Sequence, residues 1–581
     1  MKIALLCLSL CMSLPVWADM TVKLQASETS PQPLGTPIGW SAHVTGQGEG
    51  TLWYRFRARP HDSDFDIIRD FGPLNVLEWT AGEREGTYAM EVTVRNTLTG
   101  ETASRIERFE MSPLVTDTAK VTALNHPLVF LYSAPRCALG GRVRVEFANP
   151  EGEATLTPWR DCTAEFTMNF YLAGIRPNTE YTARHVLDTG VAIEKSPALG
   201  FASGGVPSLF GTYDVAVAPS SKEFGVLLQS SLTQMTTATD LAGNLVWFYG
   251  GDISSLTRPA GAGMFLGVRQ AADEDASRQV VRQFDLLGHT VKETNAARVS
   301  EQLIEMGRRP ITAFHHEARL LPDGKILVLA NTEEFFTDLQ GAGEVDVLGD
   351  QILVLDQDLN VRWVWDAFDF LDLSRAAVGG ETCTPQGGGC PPFYRAPRAN
   401  DWLHGNSVQY TPDGNLLYSS RHQDWIIKIE YEGGAGDGRI LWKLGKDGDF
   451  ALASGNPSEW FSHQHDGQIA PDGTLTVFDN GNSRYIEDDL AHSRGQSWVL
   501  DEVNKVARLA LNADLGVYSL ALGSASLLGN GHYHFNAGIT PGRPTSHFLE
   551  VDKSGKIVFE MTTPGLTYRS FRLPDLYTGS Y

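Results

Sequence analysis

Five side chains could do chemistry by type and by spacing. His316, His404 and His465 each stand a few residues ahead of a Pro-Asp-Gly triplet, and Asn406 and Arg421 flank the second of these triplets. Imidazoles can ligate metals, carry protons or attack electrophiles. A guanidinium beside them is a poor companion for a metal ion, which it repels and cannot ligate. It suits a tetrahedral oxyanion, which it grips through parallel N–H donors. This set therefore points to transfer of a sulfuryl or phosphoryl group. One imidazole attacks, Arg421 with the amide donor holds the equatorial oxygens, and another imidazole handles the proton of a phenolic or alcoholic oxygen.

The elements that must position these groups are hairpins. The segments from His316 to Gly324, His404 to Gly414 and His465 to Gly473 share one layout: histidine, short alternating run, Pro-Asp-Gly, second apolar run. Pro presets φ at such a turn and Gly supplies φ > 0. Counting back from the turn Asp, the histidines lie at odd offsets (7, 9 and 7), which puts all three on one face of their strands. His315, at an even offset, is expected to face away. His404 and Arg421 are predicted directly opposite one another, with Cβ atoms about 4.5–5.5 Å apart, and Asn406 shares that face. His463 has the parity of His465 and competes with it as the reactive imidazole. His422 is expected on the face opposite Arg421, in a packing or surface role. His532 and His534 are further candidates to line a channel.

Around the hairpins a second element repeats, a Gly- or Asn-led turn followed by a Trp- or β-branched-rich strand. It begins at Gly243, Gly288, Asn360, Gly438, Gly516 and Gly555. Repetition with all-β patterning predicts a closed six-bladed β-propeller over 206–581, its tryptophans filling space between blades. Residues 19–205 lack the histidine hairpins. Clean alternation at Tyr88, Met90, Val92 and Val94, and a tyrosine-corner-like run from Ile175 to Tyr181, predict two small Ig/fibronectin III-like β-sandwiches, 19–112 and 113–205, that space or dock the larger domain.

Lys2, an apolar run from Ile3 to Leu14, and Val16-Trp-Ala18 read as a signal peptide over 1–18, too short for a membrane span. Loss of Lys2 takes the formal charge from −23 to −24. So acidic a chain lacks the basic footprint needed for nucleic acid or an anionic membrane. Cys137, Cys162, Cys383 and Cys390 remain, an even number in an exported chain, and pair most simply as 137–162 and 383–390. Their spacing fits no zinc template. No phosphate-binding Gly loop appears, so no nucleotide cofactor is expected, and no metal.

Leu403-His-Gly-Asn-Ser-Val408, Ser419-Ser-Arg421-His422, Ile440-Leu-Trp-Lys-Leu-Gly445 and Gln464-His465-Asp466 together resemble the bacterial arylsulfate sulfotransferases. The resemblance covers about residues 206–581. It implies a periplasmic β-propeller that moves a sulfuryl group from a phenolic sulfate ester to a phenol in two steps, without the nucleotide sulfate donor PAPS. In that family's terms His465 is the nucleophile carrying a sulfohistidine. His404 and Arg421 are the sulfate-binding and acid–base pair, Asn406 a further sulfate donor, His316 the remaining pocket histidine, and Cys383–Cys390 a short disulfide near the site. The chain departs from the family in its long N-terminal segment and in offering Arg395 and Arg398 where some members carry a pocket lysine. Two other classes compete: a multi-histidine, metal-dependent propeller oxygenase or lyase, and a non-catalytic exported binding protein. Donor, acceptor, transfer against hydrolysis, and a monomer against a homodimer stay open.

Overall fold

The computed structural model describes residues 19–208, 210–219, 225–271, 275–385, 389–542 and 544–579; the segment 1–18, expected to be a signal peptide, lies outside the described residues. The fold is all-β, with short helices such as Ala296–Glu305 confined to connections.

Residues 21–112 form two facing sheets. Thr21–Ala26, Ile38–Thr45 and Val76–Trp79 make one, and Leu52–Pro60, Asp66–Gly72, Gly86–Asn96 and Thr102–Ser112 make most of the other. Trp40, Phe56, Val92, Val94 and Met111 fill the space between them. A second pair of sheets follows over 120–202, where the Tyr181 hydroxyl accepts the Arg176 backbone N–H at 3.0 Å, as the tyrosine-corner reading requires. These units do more than space. Asp66–Gly72 pairs in parallel with Thr290–Asn295, where Arg69 Nε donates to Glu293 at 2.7 Å. The second unit shares one apolar cluster with Tyr249, Phe265, Phe571 and Tyr577 from the rest of the chain.

From residue 214 on, six sets of four consecutively paired antiparallel strands follow one another among the described residues, some of them extended by further strands. Their first strands are Thr567–Leu573, Ser255–Gly261, Ala313–Leu320, Gly405–Tyr410, His465–Ile469 and Ser524–Leu527. Two sheets mix the ends of the region: Thr567–Leu573 pairs with Val226–Ser231, and Asp214–Val217 pairs with Ile557–Pro564. The tryptophans of the repeated strands bridge neighbouring sheets. Trp247 Nε1 donates to the Leu286 carbonyl at 2.8 Å, Trp365 Nε1 to the Gly438 carbonyl at 3.0 Å, and Trp442 Nε1 to Glu502 at 2.9 Å. Each buries a large apolar surface while its one polar atom is satisfied by the next sheet. One repeat is corrected: the segment after Gly516 forms no strand. Gly516 takes φ +70° beside Asp514, whose carboxylate accepts its N–H, and the fourth antiparallel strand of that sheet is Val506–Asp514.

The hairpins close at Pro-Asp-Gly as expected, but their strands are not regular up to the histidines. A β-bulge interrupts pairing between Phe314 and Ala318, between Gly405 and Ser407, and between His465 and Gln468. A bulge inserts an extra residue and re-aims the side chains beyond it. His316 and His404 sit at φ +54° and +49°, left-handed conformations that cost a non-glycine residue about 1 kcal/mol or more. Parity counted from the turn therefore fails at the point where the chemistry begins.

Candidate active site

The bulges bring the imidazoles together by another route than simple alternation. The His316 and His404 rings lie 4.9 Å apart between centroids, and His404 and His422 4.6 Å apart. His465 lies within electrostatic reach of His316, His404, Arg421 and Arg569. The five residues expected at the site are thus gathered, on or at the start of three successive first strands and, for Arg421, just after the second strand Leu416–Ser420.

Two expectations about the second hairpin are corrected. Gly405 pairs with Ser420, so the ladder stops one step before His404 and Arg421 could face each other, and residues 421–423 turn into a 3-10 helix. Alternation has no meaning there, and Arg421 and His422 fall side by side. Arg421 Nη1 donates to His422 Nε2 at 2.5 Å, and Arg421 Nη2 donates to the Leu520 carbonyl at 3.3 Å. Since Nε2 accepts, His422 keeps its proton on Nδ1 and gives it to the Asp401 carbonyl at 2.7 Å. Nor does His315 face away: its Nδ1 is 2.8 Å from that of His316, and its Nε2 is 3.2 Å from Asp350. Asp350 is itself held by the Tyr418 hydroxyl and the Gly405 N–H. Asn406 is the bulge residue. Its Nδ2 donates to the Gln464 carbonyl at 2.6 Å, and its own carbonyl accepts from Tyr568 and Arg569.

His465 and His404 each have a proton placed by a partner. His465 Nδ1 is 2.7 Å from Asn480 Oδ1. The Asn480 amide nitrogen donates to the Ser519 and Leu522 carbonyls, so its oxygen must accept and His465 carries its proton on Nδ1. Nε2 then holds the lone pair, and it has no hydrogen-bond partner among the described residues. Burial holds the His465 pKa well below the ordinary histidine range, helped by the Arg421 charge, so the ring is neutral at pH 7. His316 is pushed down likewise, by burial and then by His404 and His315. His404 Nδ1 donates to Asp401 Oδ2 at 2.7 Å.

His463 differs. Its Nε2 is 2.5 Å from Glu381 and its Nδ1 3.2 Å from Asp424. Burial alone would lower its pKa, but the hydrogen bonds to Asp424 and Glu381 outweigh that and raise it. Both nitrogens face carboxylates, which suits a cation.

His532 pairs with Glu550, and the buried His534 with Ser570, its pKa pushed down to about 3 by burial; Arg395 bonds Glu333 in an exposed position. None of these joins the cluster among the contacts of the described residues. The cysteines pair as expected, 137–162 and 383–390, and a Cβ added at Gly389 in the shorter loop would stand 3.7 Å from the His404 ring. Several supporting residues were not legible beforehand: Asp350, Asp401, Asp424, Asn480 and Arg569 come from other strands or loops and sit in no repeated pattern. Asp401 could have been found, three residues before His404.

A family model for arylsulfotransferases matches residues 199–571, nearly two thirds of the chain. The chain belongs to the arylsulfotransferase family. Two curated relatives are each named arylsulfate sulfotransferase AssT. The one from Escherichia coli O6:H1 is 27% identical over 240 residues, covering 32% of this chain and 38% of the relative. The one from Lelliottia amnigena is 29% identical over 209 residues, covering 28% and 34%. The aligned part thus spans little more than a third of either relative. Among solved structures, a two-domain fibronectin type III segment of chicken tenascin aligns at 12% identity and TM-score 0.14, over 31% of this chain and 97% of that one. Chicken contactin CNTN1 domains FN1–FN3 align at 11% identity and TM-score 0.15, over 54% and 92%. Likenesses this weak carry no argument about the fold.

Proposed function

We propose that this arylsulfotransferase-family protein is an exported enzyme that moves a sulfuryl group from a phenolic sulfate ester to a phenolic acceptor, through His465 and without PAPS. The observation that carries the reading is the fixed tautomer of His465: a neutral, buried imidazole with its proton locked to Asn480 and the Nε2 lone pair left over. In the first step Nε2 attacks sulfur, the N–S bond forms and the S–O(aryl) bond breaks. The leaving phenolate takes a proton from Nε2 of a doubly protonated His404, whose Nδ1–H stays on Asp401. In the second step an acceptor phenol gives its proton back to that imidazole, its oxygen attacks sulfur, and the N–S bond breaks. Arg421 stabilises the equatorial oxygens, where positive charge acts most strongly on the crowded transition state. His463 is the weaker nucleophile candidate because both of its nitrogens face carboxylates. It supplies positive charge instead. Asn406, bonded across two hairpins, adds an amide donor next to the pocket.

In this reading the six sheets are blades of a closed six-bladed propeller. Its supports are the two sheets that join the ends of the region, the order of the sheets, and the tryptophan bonds from one sheet to the next. The divisions at 112/113 and 205/206 and export to the periplasm belong to the same proposal, and the two disulfides agree with an oxidising compartment.

One observation favours a metal enzyme: ligand atoms of Asp401, His404 and His422 lie within 4.8 Å of one another. Both histidines, however, spend their Nδ1 protons on Asp401, one on its carboxylate and one on its carbonyl. The deciding experiment is release of p-nitrophenol from p-nitrophenyl sulfate by mature protein, with and without phenol and chelator. The proposal expects a rate that needs phenol, survives chelation and disappears in His465→Asn. Recovery only on adding iron or zinc would move the reading to the metal enzyme, and silence with several phenols would move it to a binding protein.

A further inference from the structure

A second cluster of charges lies just past the histidines on the same strands. Glu317 and Arg319 follow His316, Asp466 and Gln468 follow His465, Arg258 comes from Ser255–Gly261, and Arg569 from Thr567–Leu573. All five charged groups are buried: Arg569 and Glu317 show no exposed surface, Asp466 2%, Arg258 3% and Arg319 7%.

Arg258 Nε and Nη2 bond both oxygens of Glu317 at 3.1–3.2 Å, and Nη2 reaches Asp466 Oδ1 at 2.5 Å. Arg569 Nη1 donates to Glu317 Oε2 at 2.9 Å and to the Thr257 carbonyl at 3.1 Å. Its Nη2 donates to the Asn406 carbonyl at 2.9 Å and to the Tyr568 hydroxyl at 3.3 Å, and lies 3.6 Å from Asp466. Asp466 Oδ2 accepts from Gln468 and from the Ala525 N–H. Both carboxylates are therefore fully engaged by Arg258 and Arg569. Arg319 receives little of that compensation. Its Nη2 donates to Gln468 Oε1 at 3.3 Å, its Nε is 3.6 Å from Glu317 and buried without a hydrogen-bond partner. Three guanidiniums thus meet two carboxylates, leaving one positive charge in excess. Taking an uncompensated charge out of water is far more costly than a hydrogen bond can return.

We infer that Arg319 is the anchor of a second anion site, taking a small monovalent anion of the size and hardness of chloride, on the far side of the bulges from the sulfuryl-transfer histidines. One charge is what the cluster lacks, so a monoanion balances it where a divalent sulfate overshoots. Burial, with the repulsion of Arg258 next, pushes the Arg319 pKa down to about 9, in keeping with its sparse hydrogen bonding. An arginine remains charged there at neutral pH, so the requirement for a counter-ion persists. The site does not depend on the sulfotransferase reading.

The test uses crystals of the mature protein grown with bromide, collected at the bromine edge. The expected result is an anomalous peak in contact with the Arg319 guanidinium, present in wild type and absent in Arg319→Gln. In solution, chloride at constant ionic strength should raise the melting temperature saturably, and should cease to do so in Arg319→Gln. Arg319→Lys keeps the excess charge and should keep the peak, which covers a glutamine variant that fails to fold. No peak at Arg319 in wild type, a peak that survives Arg319→Gln, or a peak lost in a folded Arg319→Lys would overturn the inference.

Discussion

Asn480 gives both amide protons to main-chain carbonyls, so its oxygen is left to accept from His465 and the imidazole can keep its proton only on Nδ1. Asn480→Leu removes that constraint without adding charge. It should lower kcat at least about tenfold with KM little changed, since a wrong tautomer damages the chemical step more than binding. Steady-state kinetics on p-nitrophenyl sulfate with a fixed phenol would show the split. The depressed pKa of His465 makes a second expectation. A group whose pKa lies below the ordinary 6.5 stays neutral as pH falls past that value, so the acid limb of kcat/KM should appear below pH 6.5. A limb above 6.5 would mean that the titrating nucleophile is another residue. At this scale the sequence picked out side chains that do come together: His316, His404, His465 and Arg421 lie within contact or electrostatic reach of one another. It could not announce Asn480 or Asp350, because a polar residue that fixes a tautomer carries no motif and comes from a neighbouring strand.

The strands explain where counting faces stopped working. Each histidine hairpin is regular near its Pro-Asp-Gly turn and bulged at the other end, so the turn was legible and the parity was not. Nothing in His404-Gly-Asn or His465-Asp-Gly distinguishes a bulge from a straight strand before the packing is known. The segment carrying Glu381 and the Cys383–Cys390 loop shows what such elements do. It is tied to the site by Glu381 and His463, and by the Val378 N–H to the His422 carbonyl. The His463 pKa is raised, so its share of this tie is full below pH 6.5 and is lost as pH rises through the raised value. The Glu381 pKa is lowered, so its share is full above about 4.5 and is lost as pH falls through the depressed value. Amide protection over residues 376–385, exchange rates being divided by the intrinsic rate at each pH, should therefore be greatest in the window between the two and fall on either side, and in Glu381→Gln the alkaline dependence should flatten. Protection that does not change with pH across this range would disprove the tie. The tryptophan bridges predict a separate cost. Trp442→Phe keeps most of the apolar contact but gives up the bond to Glu502, a loss of about 1–3 kcal/mol by urea unfolding.

For the whole molecule, the all-β class, the repeat region and the two disulfides were readable from patterning and cysteine count. The contact between the N-terminal units and the repeats was not. Alternation at Tyr88–Val94 says that a strand has a buried face, and says nothing of which sheet lies at its edge. In the structure Asp66–Gly72 extends the sheet containing Thr290–Asn295, and the Tyr577 hydroxyl donates to the Tyr171 carbonyl while accepting the Ala173 N–H. A chain beginning at residue 206 would expose Tyr249, Phe265, Phe571 and Tyr577 from their shared cluster. It is expected to be insoluble or to melt well below a chain beginning at residue 19 in a thermal scan; equal stability would show that the N-terminal units only space.

The most direct measurement of the central claim is peptide mass mapping, without acid, of mature protein mixed with excess p-nitrophenyl sulfate and no acceptor. The account predicts one added sulfuryl group on the peptide carrying His465, assigned to that residue by fragmentation, discharged by phenol and absent in His465→Asn. A sulfuryl group on His463, or steady transfer to phenol with no adduct on any histidine, would contradict it.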